Sequence, residues 1–253
     1  MTKTIPPAWL GCPLCQKPLD QSERGLHCPA DGLDFPLRDG IFRLLPPEEQ
    51  AVADAYAEAY RHQREAQGWR PLTAEELAAL PENVPAGWDK LYWPVRRQSF
   101  AALLTWLDTL ESPAEEPLRV ADMGAGFGWL TGRLTARGYE VVALDLSGDD
   151  AFGLGAARDL ANILVEPPLL AQADIERPPL QPGQVDLLIY NASLHYAIDL
   201  ERCLKAAAGL LRPGGALVIM DTPVLVGDFT ALPPAEGEPQ RRGRQIPLAE
   251  LEQ

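Results

Sequence analysis

The sequence predicts an α/β protein with a doubly wound, mostly parallel sheet and a small β module in front of it. From residue 94 onward, short apolar segments alternate with helical ones, a pattern typical of parallel strands joined by helices. A glycine-rich turn directly follows the first of these apolar segments. Three of the four cysteines lie within the first 28 residues. We therefore expect a zinc-ribbon-like module over residues 1–46, a helical linker or cap over 47–93 and a larger domain over 94–253.

The elements that precede the larger domain are predicted from local composition. In the module, short apolar pieces between turn residues indicate β-strands. A change to alanines, tyrosines and charges then predicts a helix with an aromatic stripe over residues 48–66. Thr73 and Glu76 have the spacing of a capping box, which predicts a short helix over residues 74–80. An amphipathic run predicts a further helix over residues 94–111.

The larger domain is predicted to contain five strands separated for the most part by helices. The strands are expected over residues 118–122, 140–145, 169–173, 185–190 and 216–221. The helices are expected over residues 129–137, 149–164 and 200–211. This alternation predicts strands that lie parallel to one another in one sheet.

The charge of the chain bears on its partners. Acidic residues outnumber lysine and arginine by 36 to 22, which gives a formal net charge of -14. This charge disfavours a nucleic-acid partner, because it repels phosphate backbones at long range, but it does not exclude one. The dense basic cluster at residues 241–244 is interpreted as a solvated tail. Without a signal-like N-terminus or an apolar run of roughly 20 residues, we expect a cytoplasmic protein and no membrane partner.

The glycine-rich turn over residues 122–128 reads Asp-Met-Gly-Ala-Gly-Phe-Gly. Glycine lets the backbone approach a ligand closely, but the G-x-G-x-G spacing differs from the G-x-G-x-x-G of dinucleotide sites. Asp122, directly before the glycines, disfavours a pyrophosphate and suits a ligand with a cationic amine. Asp145 ends the second strand, about 20 residues beyond the turn, where a carboxylate can accept hydrogen bonds from ribose hydroxyls. Asp174 follows the third strand in the same way.

Over roughly residues 91–222, these residues resemble the class I S-adenosylmethionine-dependent methyltransferase family. The turn at residues 211–215 also resembles the one before the family's fifth strand. The resemblance implies a Rossmann-like sheet, an enzyme that uses S-adenosylmethionine, and a set of cofactor-binding residues. Those residues are Asp122, Gly124, Ala125 and Gly126 for the methionine part, Asp145 with Leu146 for the ribose, Asp174 and Ile175 for the adenine, Asn191 near the transferred methyl, and Tyr92 and Arg96 on a segment that closes over the cofactor. Arg96 would meet the carboxylate of the cofactor.

Methyl transfer depends mainly on alignment, since positioning of the reactants can contribute about 7 to 11 kcal/mol. If a general base is used, His195 is the first catalytic candidate, because an ordinary histidine pKa of about 6.5 allows it to accept a proton near neutrality. The alternative is that His195 caps the following helix or only shapes the pocket. We expect a small-molecule acceptor and leave open whether oxygen, nitrogen or carbon is methylated.

The cysteines of the module predict a structural zinc site. Cys12 and Cys15 form a C-x-x-C knuckle, and Cys28 begins a similar turn. Asp31 is expected as the fourth ligand, with His27 as the alternative, although adjacent residues 27 and 28 do not easily both point inward. The module resembles the zinc ribbons that precede some methyltransferase domains, including bacterial rRNA guanine-N1 methyltransferases. Two alternative functions are kept: an RNA methyltransferase that recognises RNA with the ribbon, and a catalytically silent cofactor-binding or interaction protein.

The C-terminus is shorter than the family resemblance implies. Methyltransferase domains of this class usually add a helix and two strands after the fifth strand, whereas only about 30 residues follow Asp221. We therefore expect the last strands to be absent or rebuilt. The sheet edge that this exposes would be covered by a second copy of the chain or by the N-terminal module.

Overall fold

One nine-stranded sheet runs through the computed structural model, which describes residues 8–22, 24–88, 92–110, 117–225 and 246–247. Its strands are β1 (Asp20–Ser22), β2 (Gly25–Cys28), β3 (Leu33–Arg38), β4 (Ile41–Arg43), β5 (Arg119–Met123), β6 (Glu140–Asp145), β7 (Leu169–Gln172), β8 (Val185–Asn191) and β9 (Leu211–Met220). Their order across the sheet is β1-β2-β3-β4-β7-β6-β5-β8-β9. Two short strands, β10 (Val224–Leu225) and β11 (Ile246–Pro247), pair separately. The basic cluster at residues 241–244 lies outside the described residues.

Apart from α5, the helices begin close to their predicted positions. They are α1 (Pro47–Ala66), α2 (Ala74–Ala78), α3 (Tyr92–Leu107), α4 (Trp129–Thr135), α5 (Leu154–Ala157) and α6 (Leu200–Leu210), with 3-10 turns at Arg158–Asn162 and Leu194–Tyr196. The capping box of α2 is confirmed, since Thr73 Oγ1 accepts a hydrogen bond from the Glu76 amide and the Glu76 carboxylate accepts one from the Thr73 amide. Among the described residues, no helix is both long and apolar enough to cross a membrane.

The prediction of one long helix over residues 149–164 is wrong. The structure has only the single turn of α5 there, followed by a 3-10 turn. The Asp149 carboxylate accepts hydrogen bonds from the amides of Ala151 and Phe152, which gives the backbone a turn in place of the first helical hydrogen bonds. Gly153, which follows, is in an extended conformation.

Strands β5 to β9 form the predicted parallel sheet, which confirms the α/β fold class. β5 lies between β6 and β8, so the chain changes direction across the sheet at β5 and opens a crevice at the carboxyl ends of β5 and β8. Residues 211–215, predicted as a turn, are the start of β9, where a bulge interrupts the register opposite Val185 and Leu187. Within the described residues, β9 ends the sheet.

The N-terminal module extends this sheet at its other edge. β4 pairs in parallel with β7, with Ile41 opposite Leu170 and Phe42 opposite Ala171. Trp9 is buried in the same apolar core as the strands of the larger domain, and its indole N–H donates to the Glu140 carboxylate at 2.9 Å. The predicted boundary at residue 46 therefore falls between β4 and α1, while the sheet continues across it. The module covers the β7 edge and not the β9 edge; a second copy at the β9 edge stays a prediction.

Gln172, at the end of β7, joins the module to the rest of the molecule. Its side-chain oxygen accepts hydrogen bonds from the Arg43 guanidinium at 2.9 Å and from the Gln50 amide of α1 at 3.0 Å. Its side-chain amide donates to the Leu146 carbonyl at 2.9 Å. One fully buried side chain thus connects β4, α1 and the segment that follows β6.

Candidate functional site

The glycine turn lies at the crevice between β5 and β8. Gly124 has a φ of +73°, and an added Cβ would lie 2.5 Å from the Cβ of Ser193 in the loop after β8. The Ser193 hydroxyl in turn donates to the Met123 carbonyl. Only glycine fits at position 124, because both the backbone conformation and the close approach of the neighbouring loop exclude a side chain.

Asp122, at the end of β5, is 1% exposed. One carboxylate oxygen, Oδ2, accepts a hydrogen bond from the Thr131 hydroxyl at 2.6 Å, while Oδ1 has no hydrogen-bond partner among the described residues. Burial raises the pKa of Asp122 to about 7, against the opposing effect of the Thr131 hydrogen bond. A buried acceptor of this kind is costly unless a ligand supplies the missing donor.

Asp145, at the end of β6, is held beside the glycine turn. Its two oxygens accept hydrogen bonds from the amides of Gly126 at 2.8 Å and Ser147 at 2.7 Å. Burial raises the pKa of Asp145 to about 6, although both amides favour the ionised form. The carboxylate is therefore fixed in orientation, and each oxygen has a lone pair left for a ligand hydroxyl.

The end of β8 supplies Asn191, whose side-chain oxygen is buried and has no partner among the described residues. His195 follows in the next 3-10 turn, with its ring 4.4 Å from the ring of Tyr196. Burial, and then the charges of Arg64 and Arg96, lower the pKa of His195 to about 4. The imidazole is consequently neutral near pH 7.

These groups surround a cleft of about 950 Å³, its open mouth included. Most of the predicted cofactor-binding residues line it, namely Arg96, Asp122, Gly124, Ala125, Gly126, Asp145, Leu146, Ile175 and Asn191.

Three predicted site residues do not line the cleft. Tyr92 is 63% exposed at the start of α3. Asp174 is 3% exposed, and its carboxylate accepts a hydrogen bond from the Glu176 amide and lies 3.7 Å from the Arg177 guanidinium. His195 is separate from the lining, although its neighbour Tyr196 belongs to it. The roles predicted for these three residues stay predictions.

Sequence reasoning missed the contribution of α1. Tyr56, Tyr60 and Arg64, spaced four residues apart on one face of this helix, all line the cleft. The Arg64 guanidinium donates to the Tyr60 hydroxyl at 2.6 Å and lies over the ring of Trp69 at 4.7 Å. The predicted aromatic stripe was the available signal, but periodicity alone did not indicate which surface the helix covers.

In the module, the structure brings together the ligand atoms of Cys12, Cys15, Cys28 and Asp31, all within 4.8 Å of one another. Three thiols and one carboxylate fit the donor set of a four-coordinate zinc site. The His27 ring lies apart from this group, and its Nδ1 is 2.9 Å from an oxygen of the Asp34 carboxylate.

Two family models match the chain. Residues 121–219 match the family described as a methyltransferase domain, and residues 10–40 match the family described as Trm112p-like protein. In the module, a UPF0434 protein of Methylibium petroleiphilum is 46% identical over 52 residues, which are 20% of this chain and 80% of that protein.

Two curated methyltransferases match the larger domain. A malonyl-acyl-carrier-protein O-methyltransferase of Enterobacter lignolyticus is 36% identical over 49% of this chain and 44% of its own length. A tRNA 5-carboxymethoxyuridine methyltransferase of Escherichia coli is 30% identical over 51% of each chain. Among solved structures, an S-adenosylmethionine-dependent methyltransferase of Mesorhizobium loti is 26% identical over 50% of this chain and 51% of that one, with a TM-score of 0.36. The chain thus spans about half the length of the curated methyltransferases it matches.

Proposed function

We propose that this chain, which belongs to the S-adenosylmethionine-dependent methyltransferases and carries a Trm112p-like N-terminal module, methylates a small-molecule acceptor. The observation that supports the proposal most directly is the buried, unpartnered Oδ1 of Asp122 beside a glycine turn. When bound, S-adenosylmethionine supplies an electrophilic methyl group on a sulfonium. The residues of the chain bind the cofactor, orient it and exclude water.

The polar groups of the cofactor would be bound by side chains of complementary charge or hydrogen-bonding capacity. Asp122 Oδ1 would accept a hydrogen bond from the ammonium group, and the Asp145 carboxylate would accept hydrogen bonds from the ribose hydroxyls. The Arg96 guanidinium would meet the carboxylate of the methionine part. Leu146 and Ile175 would lie against the nucleoside, and Asn191 with residues 124–126 would lie along the methionine part. The contact of Asp174 with the adenine, and that of Tyr92 on a segment closing over the cofactor, stay predictions.

A small acceptor fits the remaining walls of the cleft. Tyr56 and Tyr60 of α1 line the same cleft as the glycine turn, and both are partly buried. The net charge of -14 adds an unfavourable long-range interaction with a nucleic-acid acceptor. His195 would serve as a base only for an acceptor whose proton comes within hydrogen-bond distance of its ring.

In the module, we propose a structural zinc ion held by Cys12, Cys15, Cys28 and Asp31. The ion would join the turn that begins at Cys12 to the turn that begins at Cys28, and so would stabilise the module against unfolding. Because β4 is part of the larger sheet, stability of the module would also support the cleft.

Calorimetric titration with S-adenosylhomocysteine tests the cofactor site. We expect wild-type protein to bind and Asp145→Ala to lose at least tenfold in affinity, while Asp20→Ala, an exposed carboxylate on β1, retains it. Absence of binding to wild-type protein would exclude the proposed function.

The match to a tRNA methyltransferase keeps RNA as a second acceptor class to be tested. Titration of tRNA at two salt concentrations separates the two classes. Binding that falls steeply with salt would favour RNA over a small molecule.

A further inference from the structure

Two guanidinium groups line the cleft without a carboxylate partner. Arg64 comes from α1 and Arg96 from α3, and each is partly buried. Within the described residues, neither of them forms an ion pair. Nine other arginines do, namely Arg61, Arg70, Arg119, Arg133, Arg137, Arg158, Arg177, Arg202 and Arg212.

Arg64 is held in place by neutral groups. Its guanidinium donates to the Tyr60 hydroxyl at 2.6 Å and to the Gln67 side-chain oxygen at 3.0 Å. It also lies over the rings of Tyr60 at 4.6 Å and Trp69 at 4.7 Å, while its buried Nε has no partner. These contacts orient the cation without neutralising it, so its charge acts on whatever enters the cleft.

Arg96 has a different environment. It lies over the Trp93 ring at 4.7 Å, and burial lowers the pKa of Arg96. Among the neighbouring charges, Asp221 favours the cation and Arg64 opposes it. Asp221 lies outside the cleft lining, and its Oδ1 accepts a hydrogen bond from the Ser99 hydroxyl at 2.6 Å. A carboxylate charge is thus near Arg96, whereas the Arg64 guanidinium donates its hydrogen bonds to the Tyr60 hydroxyl and the Gln67 side-chain oxygen.

The groups assigned to the cofactor leave Arg64 as a lining cation that faces none of its charges. Asp122 would face the ammonium group of the cofactor, Asp145 its ribose hydroxyls and Arg96 its carboxylate. Arg64 is then a partly buried cation without a counter-ion, an arrangement that favours an anion in the space left for the acceptor.

We propose that Arg64, together with the Tyr60 hydroxyl, forms a subsite for a carboxylate of the acceptor, so that the acceptor is an anionic small molecule. The inference rests on the proposed function, because it assigns the other charges to the cofactor. A singly charged carboxylate matches the one remaining cation and the planar fork of the guanidinium, whereas a phosphate dianion would leave excess negative charge.

The test uses full-length protein saturated with S-adenosylhomocysteine, titrated calorimetrically with benzoate, with the isosteric neutral benzamide and with inorganic phosphate. We expect benzoate to bind at least tenfold more tightly than benzamide or phosphate. In Arg64→Gln this preference should disappear, while the affinity for S-adenosylhomocysteine changes less than twofold. Arg38→Gln removes one positive charge from an exposed position on β3 and should leave the preference intact.

Other results would overturn the subsite. Equal binding or no binding of benzoate and benzamide contradicts it, and tighter binding of phosphate indicates a phosphate site. A loss of S-adenosylhomocysteine affinity in Arg64→Gln would assign Arg64 to the cofactor. Failure of wild-type protein to bind S-adenosylhomocysteine is a separate result that contradicts the proposed function itself. If Arg64→Gln does not fold, Arg64→Lys keeps the charge and should retain the preference for benzoate.

Discussion

Protonation of Asp122 is expected to control cofactor affinity between pH 6 and pH 8. Burial raises the pKa of Asp122 to about 7, and its Oδ1 has no partner among the described residues. The cofactor's ammonium group would stabilise the ionised carboxylate, so binding should lower the pKa of Asp122. Affinity is then highest at pH 8 and above, and is lost as the pH falls through the pKa of Asp122 in the free protein.

The magnitude follows from that pKa. With a pKa of about 7, roughly 90% of the carboxylate is ionised at pH 8 and roughly 10% at pH 6, so the affinity should differ about tenfold, or about 1.4 kcal/mol. Burial also raises the pKa of Asp145, to about 6, which adds a second loss below pH 6. His195 has a pKa of about 4 and does not titrate in this window.

Calorimetric titration with S-adenosylhomocysteine from pH 5.5 to pH 8, in two buffers of different ionisation enthalpy, measures both the affinity and the protons released. Asp122→Asn should bind with an affinity that is nearly constant above pH 7 and falls only near pH 6, where Asp145 titrates. Equal wild-type affinity at pH 6 and pH 8 would show that ionisation of Asp122 does not control cofactor binding. So would an Asp122→Asn variant that keeps the tenfold change.

Three further outcomes are expected. Gly124→Ala should lower the affinity for S-adenosylhomocysteine at least tenfold and lower the melting temperature, because the new Cβ would lie 2.5 Å from a neighbouring side chain. Gly126→Ala, with open space at its Cβ, should have a smaller effect, and equal effects of the two variants would contradict this explanation. Removal of zinc by a chelator should lower the melting temperature, and Cys15→Ser should reduce the zinc content measured by mass spectrometry. Cys203→Ser should leave the zinc content unchanged, and purified wild-type protein without zinc would contradict the proposed zinc site. Gln172→Ala should lower the free energy of unfolding by about 1 to 3 kcal/mol, because it leaves the buried hydrogen-bonding groups that contact Gln172 unpaired. An unchanged midpoint of denaturant unfolding would show that these hydrogen bonds contribute little to stability.

Local patterns in the sequence were sufficient to predict most of the helices and strands and the residues at the centre of the candidate site. The predicted strand at residues 140–145 coincides with β6, because a buried parallel strand needs a short apolar run that any sheet partner would accept. Gly124 and Asp122 could be identified from the sequence, because a backbone position with positive φ favours glycine and a carboxylate directly after an apolar strand is visible as an Asp at its end. The grouping of Cys12, Cys15 and Cys28 could be predicted from spacing alone.

Contacts between residues that are far apart in the sequence could not be predicted from local patterns. The pairing of Ile41 in β4 with Leu170 in β7 depends on which sheet edge buries the apolar face of the module, and either edge suits the same strand sequence. In the sequence, Tyr60 and Arg64 belong to an ordinary polar and aromatic helix face. Only the tertiary structure shows that this face of α1 lines the cleft. The periodicity of apolar residues determines whether a segment is a helix or a strand, whereas long-range burial determines which residues it contacts. The residues proposed to bind the acceptor depend on these long-range contacts.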